Sequence, residues 1–461
     1  MPKNLCRTLA AATVAAVTGG LLTAGAATPA AAAVARYADD FNGDGYRDIA
    51  YGGYNADGHR GGAIRVVYGT ASGPAAGRTQ LIHQDSAGIP GVGEEDDQFG
   101  ESLTSADLNK DGYADVIAGN PMEHVGSDDY RGSVTVVWGS ASGLSGGTAL
   151  PVKTGAAGHF GRDLAAGDFN GDGSPDLAVI GGLEAWLYRG GFTKSGGTGS
   201  VSRIDKDNAG WSSFGLASGK VDGDGRADLV VFGWQPIDGT HRTRAWFLRG
   251  SSAGLSSGAS KTVDSRRVLD QGPNAAIGDF DKDGYGDIAL GDPDESSGKG
   301  SVTIWYGTSS GPSSTRSTKL TQATSGVTGA PEVEDNFAYD LSAGDTDGDG
   351  YADLAVGVPY EEADGRMDTG GLHLFRGGSG GLTGSRSVWI TQGTANVLGA
   401  VEDGDSFGYS LSVRDLNRDG RADLAVASGG DVSANVLPGS VAGPTGTGSY
   451  TLPALGGAFA D

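Results

Sequence analysis

Short apolar runs of four to seven residues recur in pairs along the chain, bounded by Gly, Pro and Asp. The first runs of the pairs are DIAYGG, DVIAGNP, DLAVIGG, DLVVFGW, DIALGDP, DLAVGVP and DLAVASGG. The second runs are GGAIRVVYG, GSVTVVWG, EAWLYRG, RAWFLRG, GSVTIWYG, GLHLFRG and ANVLPG. Runs of this length and composition are typical of β-strands, and no long stretch shows the 3.6-residue period of an amphipathic helix.

The seven pairs divide the chain into units of about 60 residues, each with room for three or four short strands. This arrangement predicts an all-β fold, a seven-bladed β-propeller over residues 34–461 with one sheet per unit. The stretch VARYAD leads directly into the first unit, and GGAFAD ends the chain. We therefore expect the two termini to share one blade and close the ring, which leaves no long open edge.

An acidic nonapeptide, called the acidic loop below, precedes each first run. Its pattern is D-x-N/D-x-D-G-x-x-D, and successive copies begin 52 to 70 residues apart. Oxygen side chains at alternate positions, with a Gly that permits a sharp bend, are typical of a loop that encloses Ca²⁺. An EF-hand is excluded, because position 12 is a strand-like residue such as Ala118 or Val179 rather than Glu.

Six copies are intact, and the fourth copy in chain order, KVDGDGRAD, has Lys220 at the first ligand position. An ammonium group there would repel Ca²⁺. We predict that this loop holds no metal and that Lys220 instead forms an internal ion pair with Asp222, Asp224 and Asp228.

The order of these motifs resembles the FG-GAP repeat of the integrin alpha-chain head and of many exported bacterial proteins. Phe-Gly or Phe-Ala precedes five loops, at positions 99, 160, 214, 337 and 407, and Gly-x-Pro follows three, at 119, 291 and 357. The third and fourth units lack Gly-x-Pro, and the fifth lacks Phe-Gly. The resemblance covers residues 34–461 and implies a seven-bladed propeller with about six bound Ca²⁺ ions.

The resemblance also implies the calcium ligands: the side chains at loop positions 1, 3, 5 and 9, and the backbone carbonyl at position 7. These residues are Asp40, Asn42, Asp44, Tyr46, Asp48; Asp107, Asn109, Asp111, Tyr113, Asp115; Asp168, Asn170, Asp172, Ser174, Asp176; Asp279, Asp281, Asp283, Tyr285, Asp287; Asp345, Asp347, Asp349, Tyr351, Asp353; and Asp415, Asn417, Asp419, Arg421, Asp423.

Residues 1–33 have the pattern of a secretory signal peptide, with a basic start at Lys3 and Arg7 and then an apolar, small-residue run. We expect cleavage after Ala33, with Ala32 and Ala35 as alternatives, and hence a secreted, extracellular protein. The single cysteine, Cys6, lies in this segment, so the mature chain is expected to have no thiol or disulfide.

Loss of the two basic residues of this segment changes the formal charge from −24 to −26. So acidic a chain argues against nucleic acid or anionic lipid as a partner. No later stretch is long and apolar enough to predict a membrane span in the mature chain.

Because successive hairpin turns of a blade alternate between the two faces of the disc, the connections between second and third strands should lie opposite the acidic loops, together with the crossovers between blades. These segments carry unusual chemistry, namely 54–60, Glu123-His124, 128–131, 361–366, 94–97, 332–335 and 402–405. We expect a monomeric, non-catalytic binding or adhesion module that uses this face to bind a glycan or a surface protein.

Two alternatives stay open: a secreted polysaccharide-acting hydrolase or lyase with an acidic site on the same face, and a structural scaffold. The pattern G-x-S-x-G occurs at 250–254, 307–311 and 377–381, always at the same place in the repeat, which favours turns over nucleophile elbows. The six histidines show no zinc spacing. No catalytic residue is singled out, and a non-enzymatic role is favoured.

Overall fold

The computed structural model describes residues 34–53, 58–126, 130–152, 158–204, 210–264, 274–363, 365–429, 433–453 and 457–460. The signal-peptide prediction for 1–33 lies outside these residues, as do 54–57 and 128–129 of the loop segments named above. In the part of the chain that is described, no helix has the length and apolarity needed to cross a membrane.

Seven antiparallel sheets make up the described chain, and in each sheet the strands follow one another in sequence order. Blade 1 comprises β1 (Ile49–Gly53), β2 (Ala63–Val67) and β3 (Thr79–Ile82); blade 2, β4 (Leu103–Ala106), β5 (Asp115–Asn120), β6 (Ser133–Val137) and β7 (Gly147–Ala149); blade 3, β8 (Asp163–Gly167), β9 (Asp176–Gly181), β10 (Glu184–Tyr188) and β11 (Val201–Arg203).

The remaining blades follow the same plan. Blade 4 comprises β12 (Ser212–Gly219), β13 (Asp228–Ile237), β14 (Thr240–Arg249) and β15 (Ser256–Asp264); blade 5, β16 (Ala275–Gly278), β17 (Asp287–Asp292), β18 (Ser301–Trp305) and β19 (Ser317–Leu320); blade 6, β20 (Leu341–Gly344), β21 (Asp353–Val358), β22 (Gly371–Phe375) and β23 (Ser387–Ile390); blade 7, β24 (Phe407–Arg414), β25 (Asp423–Ser428), β26 (Ser433–Leu437) and β27 (Tyr450–Pro453). A helical turn at Glu295–Gly298 and a 3-10 turn at Gly384–Arg386 complete the regular elements.

The second strand of a blade is buried on both faces, because it lies between the sheets of two neighbouring blades. Every residue of β5, β9 and β17 is buried, and these strands read as continuous apolar runs rather than as an alternation. The outermost strands, such as β7 and β11, are half-buried or exposed. The prediction of an all-β, seven-bladed propeller is confirmed.

Each pair of successive blades encloses one hydrophobic cluster, and a cluster also joins blade 7 to blade 1. The Phe of the Phe-Gly motif lies in these clusters. Phe99 packs between blades 1 and 2, Phe160 between blades 2 and 3, and Phe407 between blades 6 and 7. The repeated phenylalanine therefore contributes a buried aromatic ring to the contact between neighbouring sheets.

The Gly of Gly-x-Pro allows the blades to approach closely. A Cβ placed on Gly119 would lie 2.0 Å from the carbonyl oxygen of Gly161 in the next blade. A Cβ on Gly357 would lie 2.2 Å from the carbonyl oxygen of Gly408. Since real Cβ atoms do not approach oxygen so closely, a residue without a side chain is needed at this point of the repeat.

The two ends of the described chain meet in blade 1. Tyr51 of β1 pairs with Phe459, and the amide of Gly52 donates to the carbonyl oxygen of Ala458 at 3.1 Å. The rings of Tyr51 and Phe459 also make an edge contact, with centroids 5.3 Å apart. The expected closure of the ring by both termini is confirmed.

The first strands of the blades surround an axial cavity of about 400 Å³. Small side chains of these strands line most of it, including Thr104, Ala165 and Ser342. Asp39, Arg47 and Arg414 also line it, and the carboxylate of Asp39 accepts hydrogen bonds from Arg47 at 2.9 Å and from Arg414 at 3.1 Å. These groups therefore pair with one another.

Candidate metal sites

Each acidic loop joins the first strand of a blade to the second and folds its oxygens inward. In blade 2, the carboxylate of Asp107 accepts the amides of Asp111 and Gly112, each at 3.1 Å. The side-chain oxygen of Asn109 accepts the amide of Asp111 at 2.9 Å, and Asp111 accepts the amide of Tyr113 at 3.2 Å. The backbone thus holds the oxygens of positions 1, 3 and 5 on the inside of one turn.

The aspartate at position 9 is the first residue of a second strand in most blades and is buried. In blade 2, Asp115 accepts the amides of Leu108 and Gly139, both at 2.9 Å, so it ties the loop to the end of the third strand. Burial raises the pKa of both Asp48 and Asp115 to about 8, and the neighbouring loop carboxylates raise it further. A bound cation would remove this electrostatic penalty and favour the ionised form.

Two loops bring carboxylate oxygens within 4.8 Å of one another. These oxygens belong to Asp279, Asp281 and Asp287 in blade 5, and to Asp345, Asp347 and Asp349 in blade 6. Carboxylates so close repel each other without a cation between them.

A separate observation comes from the loop of blade 3. Asp176 is fully buried, and its Oδ1 accepts the amide of Gly190 at 2.8 Å. Its Oδ2 has no hydrogen-bond partner, whereas in the other blades the amide at loop position 2 donates to this oxygen. In blade 3 that amide, from Phe169, bonds to Gly167 instead. A buried, unsatisfied carboxylate oxygen in an oxygen-rich turn fits a hard cation such as Ca²⁺, so these residues suit the group that the resemblance implies.

The loop with Lys220 differs from the expectation. Lys220 is exposed and, among the described residues, forms no ion pair with the acids of its loop. The cation that enters this loop is Arg249, whose Nε contacts the buried carboxylate of Asp222 and whose guanidinium lies 3.8 Å from Asp224. The expected ion pair therefore involves a different residue, because the end of β14 points a longer side chain into the turn.

The three G-x-S-x-G segments are tight turns between third and fourth strands. The amides of Gly254 and Gly311 donate to the carbonyl oxygens of Ser251 and Thr308, three residues earlier, and Gly381 does the same with Gly378. No helix follows them in the described chain, as a nucleophile elbow would require. The interpretation as turns is confirmed.

The opposite face of the disc, called the crossover face below, is built from the second-to-third connections and the crossovers between blades. Its crossovers repeat one turn, in which a backbone amide donates to the carboxylate of the aspartate three residues later. The pairs are Glu94 with Asp97, Glu332 with Asp335, and Glu402 with Asp405. The acids singled out before Phe-Gly are therefore in part turn-forming residues.

Two histidine clusters on this face were not apparent from the spacing along the chain. His59 and His83 stack with Asp85 beside them, and His124 lies near Glu94 and Asp97. Members of each cluster come from different connections that the fold brings together. The chain separation of 24 residues or more between the histidine and its partners explains why a local motif search misses them.

Comparison with known proteins was made for sequence and for structure. The FG-GAP repeat matches residues 99–137, 160–202, 272–305, 337–370 and 407–449. The first unit and the unit with Lys220 lie outside these ranges.

Among curated proteins, human phosphatidylinositol-glycan-specific phospholipase D is 34% identical over 156 residues, 29% of this chain and 18% of that protein. Human integrin alpha-7 is 33% identical over 183 residues, 36% of this chain and 15% of that protein. Integrin alpha-PS2 of Drosophila melanogaster is 29% identical over 219 residues, 43% of this chain and 15% of that protein. The chain thus matches less than a fifth of the length of each of these three relatives.

Among solved structures, the periplasmic gluconolactonase of Pseudomonas aeruginosa superimposes with a TM-score of 0.47 at 14% identity, covering 90% of this chain and 97% of that one. We draw no conclusion from a similarity at this level.

Proposed function

Because the chain is built of FG-GAP repeats, we propose that it is a calcium-loaded extracellular propeller that binds a surface protein, without catalysis, through its crossover face. The integrin alpha relatives support protein binding, and the acidic loops on the other face supply structural Ca²⁺.

The observation that carries this proposal is where large apolar side chains are exposed. Seven of the ten exposed large hydrophobic residues belong to connections of the crossover face: Val92, Val125, Tyr130, Leu183, Val333, Met367 and Leu398. Exposed apolar side chains gathered on one face are typical of a protein-binding surface. Acidic residues of the same connections, such as Glu95, Glu334 and Asp403, are exposed between them. This mixture favours a protein partner with apolar and basic groups.

The enzymatic alternative receives less support. The best carboxyl pair on the crossover face is Glu361 with Asp335, which are hydrogen-bonded to each other. Glycoside hydrolysis needs two carboxyl groups about 5–9.5 Å apart with room for substrate or water between them. A pair in direct contact is suited to holding two loops together.

The test is binding of the mature chain to arrays of purified surface proteins and of glycans, in millimolar Ca²⁺ and in chelator. We expect a protein ligand whose binding is weakened by Val92→Ser, Val333→Ser and Met367→Ser combined. The matched control is Val441→Ser, an exposed valine in a turn on the acidic-loop face. Binding that is equally sensitive to the control would contradict the proposed face, and binding to glycans alone would favour a lectin-like role.

A further inference from the structure

The cluster of Glu94, Asp97 and His124 lies where the crossover from blade 1 to blade 2 meets the connection between β5 and β6. The Nδ1 atom of His124 is 3.9 Å from a carboxylate oxygen of Glu94 and 4.0 Å from Oδ1 of Asp97. All three ligand atoms lie within 4.8 Å of one another. Two ligands of a tetrahedral Zn²⁺ ion at about 2.1 Å are about 3.4 Å apart, so closure by about half an ångström would suffice.

Asp97 supplies an independent reason to place a cation here. Its side chain is fully buried, and Oδ2 accepts the amide of Glu94 at 2.7 Å. Oδ1, the oxygen that faces His124, has no hydrogen-bond partner. A buried carboxylate oxygen left in this condition costs free energy unless a positive charge compensates it.

The equivalent turn in blades 5 and 6 shows what is special about this place. Asp335 occupies the position of Asp97 and accepts the amide of Glu332 in the same way. There the carboxyl group of Glu361 hydrogen-bonds to Asp335, and the residue at the position of His124 is Glu362. Since the turn is common to both places, the turn by itself does not explain why the described cluster gains an imidazole.

We propose that Glu94, Asp97 and His124 bind a divalent transition-metal ion, of which Zn²⁺ is the best match. One imidazole nitrogen with two carboxylate oxygens suits Zn²⁺ better than Ca²⁺ or Mg²⁺, which take oxygen ligands almost exclusively. The side chains of His124 and Glu94 are 38% and 56% exposed, so a coordination position faces solvent and can accept a donor group from a partner. This site differs from the acidic loops in its ion and in its face, and it stands independently of the proposed function.

The other histidine cluster is a poorer metal site. The rings of His59 and His83 stack with centroids 3.6 Å apart and planes inclined by 19°. A metal ion lies in the plane of the imidazole that binds it, at about 2.0–2.1 Å from the nitrogen. An ion in the plane of one stacked ring would be far out of the plane of the other, so both histidines cannot bind it without rearrangement.

The experiment is a Zn²⁺ titration of the untagged mature chain in millimolar Ca²⁺, followed by calorimetry and by metal analysis after dialysis. Excess Ca²⁺ keeps the acidic loops loaded, so that they do not compete. We expect one Zn²⁺ per chain. His124→Ala and Asp97→Asn should each weaken binding by at least about 10–100-fold, the range that loss of even an outer-shell partner costs.

The controls are His83→Ala, which removes a histidine of the neighbouring cluster, and Asp335→Asn, which changes the equivalent aspartate of a turn without histidine. Both should leave Zn²⁺ affinity unchanged. A second variant, His124→Leu, retains side-chain volume, and the thermal midpoint of each variant in Ca²⁺ reports whether it is folded. Absence of saturable Zn²⁺ binding, or loss of binding in His83→Ala but not in His124→Ala, would overturn the proposal. In the first case a protonated His124 would be the cation that compensates Asp97.

Discussion

Asp176 and Asp97 are both fully buried carboxylates with one oxygen that no hydrogen bond satisfies, yet they lie on opposite faces of the disc. Their surroundings decide what each can bind. Asp176 lies in a turn of oxygen atoms, which suits a hard cation, and Asp97 faces an imidazole, which suits a softer one. At the scale of single residues, the same side chain therefore indicates different ions in different contexts.

The acidic loop of blade 4 can be tested by one substitution. Lys220→Asp restores the missing ligand at position 1, and we expect it to add one bound Ca²⁺ per chain. Arg249 should not prevent this, because Arg376 occupies the corresponding place in blade 6, 3.8 Å from Asp347 of an intact loop. The measurement is calcium content after dialysis. Lys110→Asp, which changes charge equally at a non-ligand position of a loop, should leave the stoichiometry as it is.

The pair of Glu361 and Asp335 predicts a pH dependence. Burial, and then the neighbouring carboxylates Asp335 and Glu332, raises the pKa of Glu361 to about 7, above its ordinary value of 4.5. The folded state therefore holds this proton more tightly than the unfolded state, and the resulting stability is lost as pH rises through about 7. Glu361→Gln retains an uncharged hydrogen-bonding group, so we expect its stability relative to the wild type to increase from pH 5 to pH 8.

The expected change for Glu361→Gln is about 1–2 kcal/mol after allowance for partial solvent screening, measured by denaturant unfolding at each pH. Glu362→Gln alters the exposed neighbour and should show no such trend. A constant difference between the Glu361 variant and the wild type across this range would show that the carboxyl group titrates normally.

At the scale of elements, each blade is an independent sheet that gains stability from its neighbours. The first strands line the axis, the second strands are buried between blades, and the Phe-Gly and Gly-x-Pro motifs lie at the contacts between them. The motifs could be located from the sequence, since their spacing follows the repeat. That Gly119 abuts Gly161 of the next blade could not, because they are 42 residues apart along the chain.

We expect Gly119→Ala to destabilise the protein by about 1–3 kcal/mol, because the new Cβ would lie 2.0 Å from a backbone oxygen that cannot easily move. The thermal midpoint and the midpoint of denaturant unfolding measure the effect. Gly77→Ala is the matched control, since no atom lies within 4 Å of a Cβ at that exposed position. Equal stability of the two variants would mean that blades 2 and 3 can separate at no cost.

At the scale of the whole molecule, seven interfaces close a ring, and the contact between blades 7 and 1 has a cluster like the other six. The closing strand is supplied by the end of the chain, so the ring depends on a few residues that are remote in sequence from their partners. The acidic loops add a second dependence, because bound ions stabilise the folded state by mass action.

Phe459→Ala should weaken ring closure. The Phe459 side chain is 6% exposed and contacts Tyr51, and loss of a buried Phe costs about 3–5 kcal/mol. We expect a lower thermal midpoint and faster hydrogen exchange at the amide of Gly52, which bonds to Ala458. Val441→Ala, an exposed site in blade 7, should change neither quantity. Unchanged exchange at Gly52 would argue that the closing strand contributes little.

Removal of Ca²⁺ should lower the thermal midpoint more than any single substitution in the loops. At ten times the dissociation constant, each occupied loop contributes about 1.4 kcal/mol, and six such contributions would be lost together. The measurement is calorimetry in Ca²⁺ and in chelator, with Na⁺ at equal ionic strength as the control for screening of the negative charge. A midpoint indifferent to Ca²⁺ would be incompatible with loaded loops.

The sequence alone determined the number of blades, their strand-rich character and the acidic turns, because each of these is encoded within one repeat of about 60 residues. It also indicated that both termini belong to one blade. Only the tertiary structure decided which side chains meet between repeats: Arg249 rather than Lys220 in the fourth acidic loop, and His124 beside Glu94 and Asp97. The reason is physical, since local motifs specify backbone turns, whereas contacts between connections depend on how adjacent blades are packed around the axis.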